Sequence, residues 1–295
     1  MGQIETRGLS RTFGDVRAVD GVDLVVRPGG LTGFVGGNGA GKTTTMRMVM
    51  GLLRPDAGEV LWDDRPMTAA DRRRFGYLPE ERGLYPKQKV ADQLTYLARL
   101  SGMTAADARH AIATHLERFG LADRAKDRVE SLSLGNQQRV QIVAALLHGP
   151  TALVLDEPFS GLDPGAVDAM ADVLRDCAAS GVPVLFSSHQ LDLVERLCDR
   201  LVVLARGRVV AQGSVDDLRA GGPTRYRLVT DADAGWVRDV RGIHVQDVDG
   251  TGALLELLTE GAEQAVLREA VARGAVREFS RVVPPLSEIY REVTA

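Results

Sequence analysis

Lysine is nearly absent from this sequence. Lys42, Lys87, Lys89 and Lys126 are the only four, and arginine carries the rest of the positive charge. There is no cationic excess: 36 Lys and Arg face 40 Asp and Glu, a formal net charge of −4. That balance leaves no electrostatic footprint for nucleic acid. Cysteine is scarce as well. Cys177 and Cys198 sit in helical patterns beside apolar residues, which reads as reduced thiols and excludes a disulfide framework. No run approaches the ~20 apolar residues that a bilayer-spanning helix needs. The N-terminal stretch has no apolar signal core. Internal repeats and low-complexity tracts are missing too. These absences point to a cytoplasmic globular protein.

What is present fits that class. Hydrophobic residues make up 44% and charged residues 26% of 295, ordinary values for a soluble chain that can build one large domain and a small one. Short β-type runs and turns fill residues 2–33. Val22–Val26 reads as a strand, Arg27-Pro28-Gly29-Gly30 as a turn, and Leu31–Val35 as an apolar strand. A helix follows, with Met46, Val49 and Met50 facing a core. Residues 90–120 read as helical, with Val90, Leu94, Leu97 and Leu100 on one face. Leu153–Leu155 and Val184–Phe186 are short apolar strands of the parallel-sheet type. This alternation predicts an α/β core. Gly221-Gly222-Pro223 is a breaker cluster that reads as a linker. Residues 223–295 then read as a small α+β domain, with nine Arg against twelve acidic residues, and so not a basic arm.

Between the strand and the first helix lies Gly36-Gly37-Asn38-Gly39-Ala40-Gly41-Lys42-Thr43, the pattern G-x-x-x-x-G-K-[ST]. Glycines let backbone N–H groups close on anionic oxygens without a Cβ clash. The helix N-terminus adds partial positive charge. Lys42 is placed to reach β- and γ-phosphates, and the Thr43 hydroxyl to ligate Mg2+. The apolar strand Leu153–Leu155 runs into Asp156 and Glu157. Asp156 is the candidate for the magnesium shell and Glu157 for polarising an attacking water.

Leu132-Ser133-Leu134-Gly135-Asn136-Gln137 matches L-S-x-G-x-Q, ahead of a helix expected from near Arg139. Here the sequence resembles the ATP-binding-cassette (ABC) family, and the resemblance extends in order through residues 1–220. It implies a P-loop ATPase core with a helical insert at about 81–145. It also implies ATP bound by Phe13 on the adenine and by Gly36 to Thr44, with Thr44 beside the magnesium-ligating Thr43. Ser133, Gly135 and Gln137 would meet ATP held by an opposite subunit, Asp163 would lie in the loop crossing that interface, and His189 would contact the γ-phosphate. Where the family has a magnesium-ligating glutamine, this sequence has Glu80. Gly37 stands in place of a common proline and Asn136 of a common glycine.

The spellings around Pro79–Pro86 and Leu132–Gln138, with the small C-terminal domain, resemble a bacterial export-type subgroup. The resemblance implies an ATP- and Mg2+-dependent hydrolase that pairs with a second ABC subunit and drives a separate multi-span permease. It would lie peripherally on the cytoplasmic face of the membrane. The alternative is a soluble ABC ATPase acting on ribosomes or nucleic acid. Relatives of that kind carry two cassettes or a long coiled coil, and neither occurs here.

Overall fold

The computed structural model describes residues 2–81, 83–220, 224–283 and 285–294. The expected linker Gly221-Gly222-Pro223, together with Arg82 and Pro284 of the segments singled out above, lies outside the described residues. By contacts the chain divides into two units, Met1–Val215 and Asp216–Val293.

The first unit opens with β1 (Ile4–Phe13), β2 (Val16–Val26) and β3 (Leu31–Val35), followed by α1 (Lys42–Val49), β4 (Ala57–Trp62), β5 (Arg65–Pro66), α2 (Ala69–Arg72) and β6 (Phe75–Leu78). Three helices follow: α3 (Val90–Leu100), α4 (Ala105–Arg118) and α5 (Leu134–Leu146). Then come β7 (Ala152–Leu155), α6 (Pro164–Ala179), β8 (Val184–Ser188), α7 (Leu191–Leu197), β9 (Arg200–Ala205) and β10 (Arg208–Ser214). A four-stranded antiparallel sheet runs in the order β2-β1-β4-β5. A six-stranded sheet runs β10-β9-β3-β8-β7-β6; all its pairs are parallel except β10 with β9. Every residue of β3, β7 and β8 is buried, as expected for strands covered on both faces.

The two sheets share one core. Ile4, Val22, Leu24 and Val26 of the antiparallel sheet meet Phe34, Val154, Leu185 and Val202 of the other, with Met46, Met48 and Val49 of α1. Parallel alignment puts the C-terminal ends of β3, β8 and β7 side by side, where the site forms.

The helical stretch departs from its sequence reading. It is broken at Gly102, whose φ is +87°, and α4 restarts at Thr104, whose hydroxyl caps Asp107 N–H. Val90, Gln93, Leu94 and Ala98 form the buried face of α3, while Leu100 is 67% exposed. α5 begins at Leu134 rather than near Arg139, because Ser133 is its N-cap and accepts from Asn136 N–H.

The second unit begins within α8 (Val215–Ala220). It then pairs β11 (Arg225–Thr230), β12 (Ile243–Asp249), β13 (Gly252–Leu257) and β14 (Val276–Val282) in an antiparallel sheet ordered β12-β13-β11-β14. α9 (Ala262–Arg273) supplies Val266 and Ala270 to a core with Leu228 and Leu255. Arg225, almost fully buried, pairs with Glu256 of β13 and with Glu288 of α10 (Leu286–Thr294).

Each unit holds one of the two tryptophans, Trp62 and Trp236, so the first unit can be followed alone. Phe186 is fully buried and meets Phe159 edge-on with ring centroids 5.4 Å apart. In a Trp236→Phe background, Phe186→Ala should cost ~3–5 kcal/mol of stability. The measurement is Trp62 fluorescence in urea, with a lower midpoint and an unchanged slope.

Candidate functional site

The loop between β3 and α1 encloses a cavity of about 310 Å³. Residues 37–44 form one wall, Phe13 and Ala18 flank it, and Glu80, Asp156 and Glu157 face it. Gly36 is not among the lining residues; it lies beneath them. A Cβ there would sit 2.5 Å from the Leu204 carbonyl oxygen, and one at Gly41, whose φ is +106°, 2.5 Å from that of Ala18. Only glycine fits between these carbonyls and the loop. Lys42 is buried, and its ammonium donates to Gly36 O at 2.7 Å and Gly37 O at 3.3 Å.

The opposite wall is acidic. Asp156, at the end of β7, is 1% exposed. Its Oδ1 accepts from the Ser187 hydroxyl at 2.6 Å, while its Oδ2 is buried with no protein partner. Its negative charge, after burial, helps raise the Tyr77 hydroxyl above its ordinary value. Glu80 accepts a 3.3 Å hydrogen bond from the Thr43 hydroxyl, and Glu81 pairs with Arg47. An adjoining opening is lined by Asn38, Glu80, Glu81, Gln138, Glu157, Ser160 and His189.

These donors fit a hard cation. A buried carboxylate oxygen without a partner is costly, and carboxylate and hydroxyl oxygens suit Mg2+. Among the described residues no three His, Cys, Asp or Glu side chains converge on a metal position by themselves. A cation here would need oxygens beyond these side chains to complete its shell.

Glu157 adopts φ +49°, a left-handed backbone that costs a residue with a Cβ on the order of 1–2 kcal/mol. Its N–H donates to the Ser187 hydroxyl at 2.8 Å, and its Oε2 lies 2.9 Å from His189 Nδ1. Phe13 is 47% exposed at the rim, so it is not a core residue. The Arg11 guanidinium sits 5.0 Å from its ring centroid and is itself held by Asp56 at 2.6 Å.

The remaining residues singled out above lie elsewhere. Ser133, Gly135 and Gln137 do not line the cavity in their own chain. Ser133 caps α5, Gly135 approaches Gly161 so closely that a Cβ would meet its carbonyl oxygen at 2.9 Å, and the Gln137 amide donates to Leu132 O. Asp163 caps α6, accepting from Ala166 N–H, and pairs with Arg139 at 2.7 Å. The cap, then Arg139, holds its carboxyl below the ordinary range.

Three contributors escape a reading of motifs. Gln138, beside the named Gln137, donates to Pro158 O at 3.2 Å. Arg11 props Phe13. Ser187 joins Asp156 to Glu157. Of these, only Gln138 lay in a segment singled out in the sequence, Leu132–Gln138, and without a role; Ser187 falls between the apolar strand Val184–Phe186 and His189.

No described helix is long and apolar enough to cross a membrane. The ABC transporter family profile matches residues 19–160, and the profile described as ATP-binding protein DrrA1-3-like, C-terminal domain, matches residues 213–294. The uncharacterized ABC transporter ATP-binding protein YhaQ of Bacillus subtilis (strain 168) is 42% identical over 285 residues, 96% of each chain. Nod factor export ATP-binding protein I of Burkholderia orbicola (strain AU 1054) is 39% identical over 214 residues, 72% of this chain and 70% of that one. A solved structure of the ATP binding subunit of an ABC transporter aligns with a TM-score of 0.68 at 34% identity, over 74% of this chain and 92% of that one. With a relative matched along nearly its whole length, and a phosphate-type loop facing an acidic wall, the chain belongs to the ABC transporter ATP-binding proteins.

Proposed function

We propose that the chain hydrolyses ATP in a Mg2+-dependent manner and powers an exporter whose membrane-crossing part is a separate multi-span permease. The observation that carries the catalytic reading is the pairing of the Gly36–Thr44 loop with the buried, partner-free Asp156 Oδ2 across one cavity. Loop N–H groups, the α1 N-terminus and Lys42 take the β- and γ-phosphates. Phe13 stacks on the adenine. Thr43, Asp156 and Glu80 would hold Mg2+, which when bound would supply charge neutralisation for phosphoryl transfer. Glu157, steadied by His189, orients the attacking water and accepts its proton.

Ser133, Gly135 and Gln137 are assigned to a nucleotide bound by a second ABC subunit, identical or related, with Asp163 at the shared interface. Their position outside the cavity of their own chain supports this. ATP then joins two subunits, and loss of the γ-phosphate releases them. The export direction follows the printed name of the Nod factor relative. Docking to the permease is assigned to the α3–α5 layer and the segment around Tyr85, where Tyr85, Tyr96 and Leu100 expose apolar area that a partner would cover. The chain then sits on the cytoplasmic face of the membrane through that permease.

Two outcomes test the site. Glu157→Gln should lower kcat about 10²–10⁴-fold while ATP still binds, measured by phosphate release and by nucleotide titration; turnover at the parental rate would refute the role of Glu157. Phe13→Ala should weaken ATP binding about 2–12-fold, the loss of one stacked pair worth ~0.5–1.5 kcal/mol, with kcat at saturation little changed.

A further inference from the structure

We propose that Ser187 is the positioning residue of the hydrolytic site, an assignment that rests on the proposed hydrolysis at Glu157. Its hydroxyl is fully buried in β8 and uses both of its hydrogen-bonding roles on the neighbouring strand end. The single proton goes to Asp156 Oδ1 at 2.6 Å. A lone pair accepts from Glu157 N–H at 2.8 Å. One side chain thus sets two adjacent acids that have different tasks.

On Asp156 the bond selects an oxygen. With Oδ1 committed to Ser187, Oδ2 is left buried and without a protein partner, so the carboxylate cannot turn over without losing a charge-assisted bond. The free oxygen is therefore fixed for a cation. On Glu157 the bond holds a backbone. The residue sits at φ +49°, a conformation that persists only where the surroundings over-determine it. The hydrogen bond to Ser187 and the 2.9 Å contact of Oε2 with His189 Nδ1 are two of those determinants, one on the main chain and one on the side chain. The Gln138 amide adds a third by donating to the carbonyls of Glu157 and Pro158. Parallel pairing brings this about: Leu155 lies opposite Phe186 in the β7–β8 ladder, which places Ser187 beside the chain just beyond it. A hydroxyl here therefore acts on the Asp156 carboxylate and on the Glu157 main chain at once, without lining the cavity itself.

The test compares Ser187→Ala, Ser187→Cys and Ser187→Thr with the parental protein. Readouts are steady-state ATP hydrolysis and Mn2+ binding in the presence of ATP, followed by electron paramagnetic resonance. Ser187→Ala should lower kcat about 10–100-fold and raise the half-saturating Mn2+ concentration by a similar factor, the usual range for losing a group that orients a metal ligand. KM for ATP should stay within about twofold, because the loop and Phe13 are untouched. Ser187→Thr keeps the hydroxyl and should recover kcat to within about threefold of parental. Ser187→Cys, a weaker donor, should fall between; if the alanine variant does not fold, the cysteine variant carries the comparison. Parental kcat and Mn2+ affinity in the alanine or cysteine variant would overturn the assignment, and so would equal impairment of Thr and Ala, which would mark a packing role only. A parental protein that binds ATP but never hydrolyses it would overturn the hydrolytic reading, and this assignment with it.

Discussion

Two backbone carbonyls press on the phosphate loop, and the geometry of the site depends on them. Leu204 O, from β9, closes on Gly36, and Ala18 O, from β2, closes on Gly41. Neither position has room for a Cβ. The loop is further pinned where Gly207 N–H donates to Ala40 O at 3.0 Å and Gly207 O accepts from Asp20 N–H at 2.8 Å. Residues of both sheets therefore hold it in place. A preorganised cradle of backbone N–H groups costs little reorganisation when an anion binds.

The acidic wall follows from topology. In a parallel sheet the strands end together, and ligands gather in the crevice outside those ends. β3 feeds the loop, β7 ends at Asp156 and Glu157, and β8 ends at Ser187 and Ser188 with His189 just beyond. Asp156, Glu157, Glu80 and Glu81 then crowd one side, with Arg47 and Lys42 as the nearby cations. Glu80, where the resemblance implies a neutral glutamine, adds a negative charge to this side of the cavity.

The site was legible in the sequence where its signals are contiguous. The loop residues 36–43 and the strand ending at Asp156 and Glu157 carry their chemistry in adjacent positions, so spacing alone reveals them. The parallel core was legible for the same reason, as β3, β7 and β8 are short, wholly apolar runs. Long-range contacts left weaker traces. Ser187 and Asp156 are 31 residues apart, and Gln138 and Pro158 are 20 apart; nothing local announces either bond. Leu100 fits the apolar face of α3 by periodicity yet is exposed, because α3 ends there and Gly102 turns the chain away. Arg11 was invisible as a partner of Phe13 because its position depends on Asp56, across the β1–β4 pairing.

The central claim is that this clamped loop, and not the cavity in general, recognises a triphosphate. The most direct measurement is calorimetric titration of ATP and of AMP, each with Mg2+, into the Glu157→Gln protein with and without Gly36→Ala. The expected result is ATP binding that AMP, lacking the β- and γ-phosphates, does not match, and that Gly36→Ala abolishes while Trp62 fluorescence, read in a Trp236→Phe background, stays native. ATP binding unchanged by Gly36→Ala, or AMP bound as tightly as ATP, would contradict it.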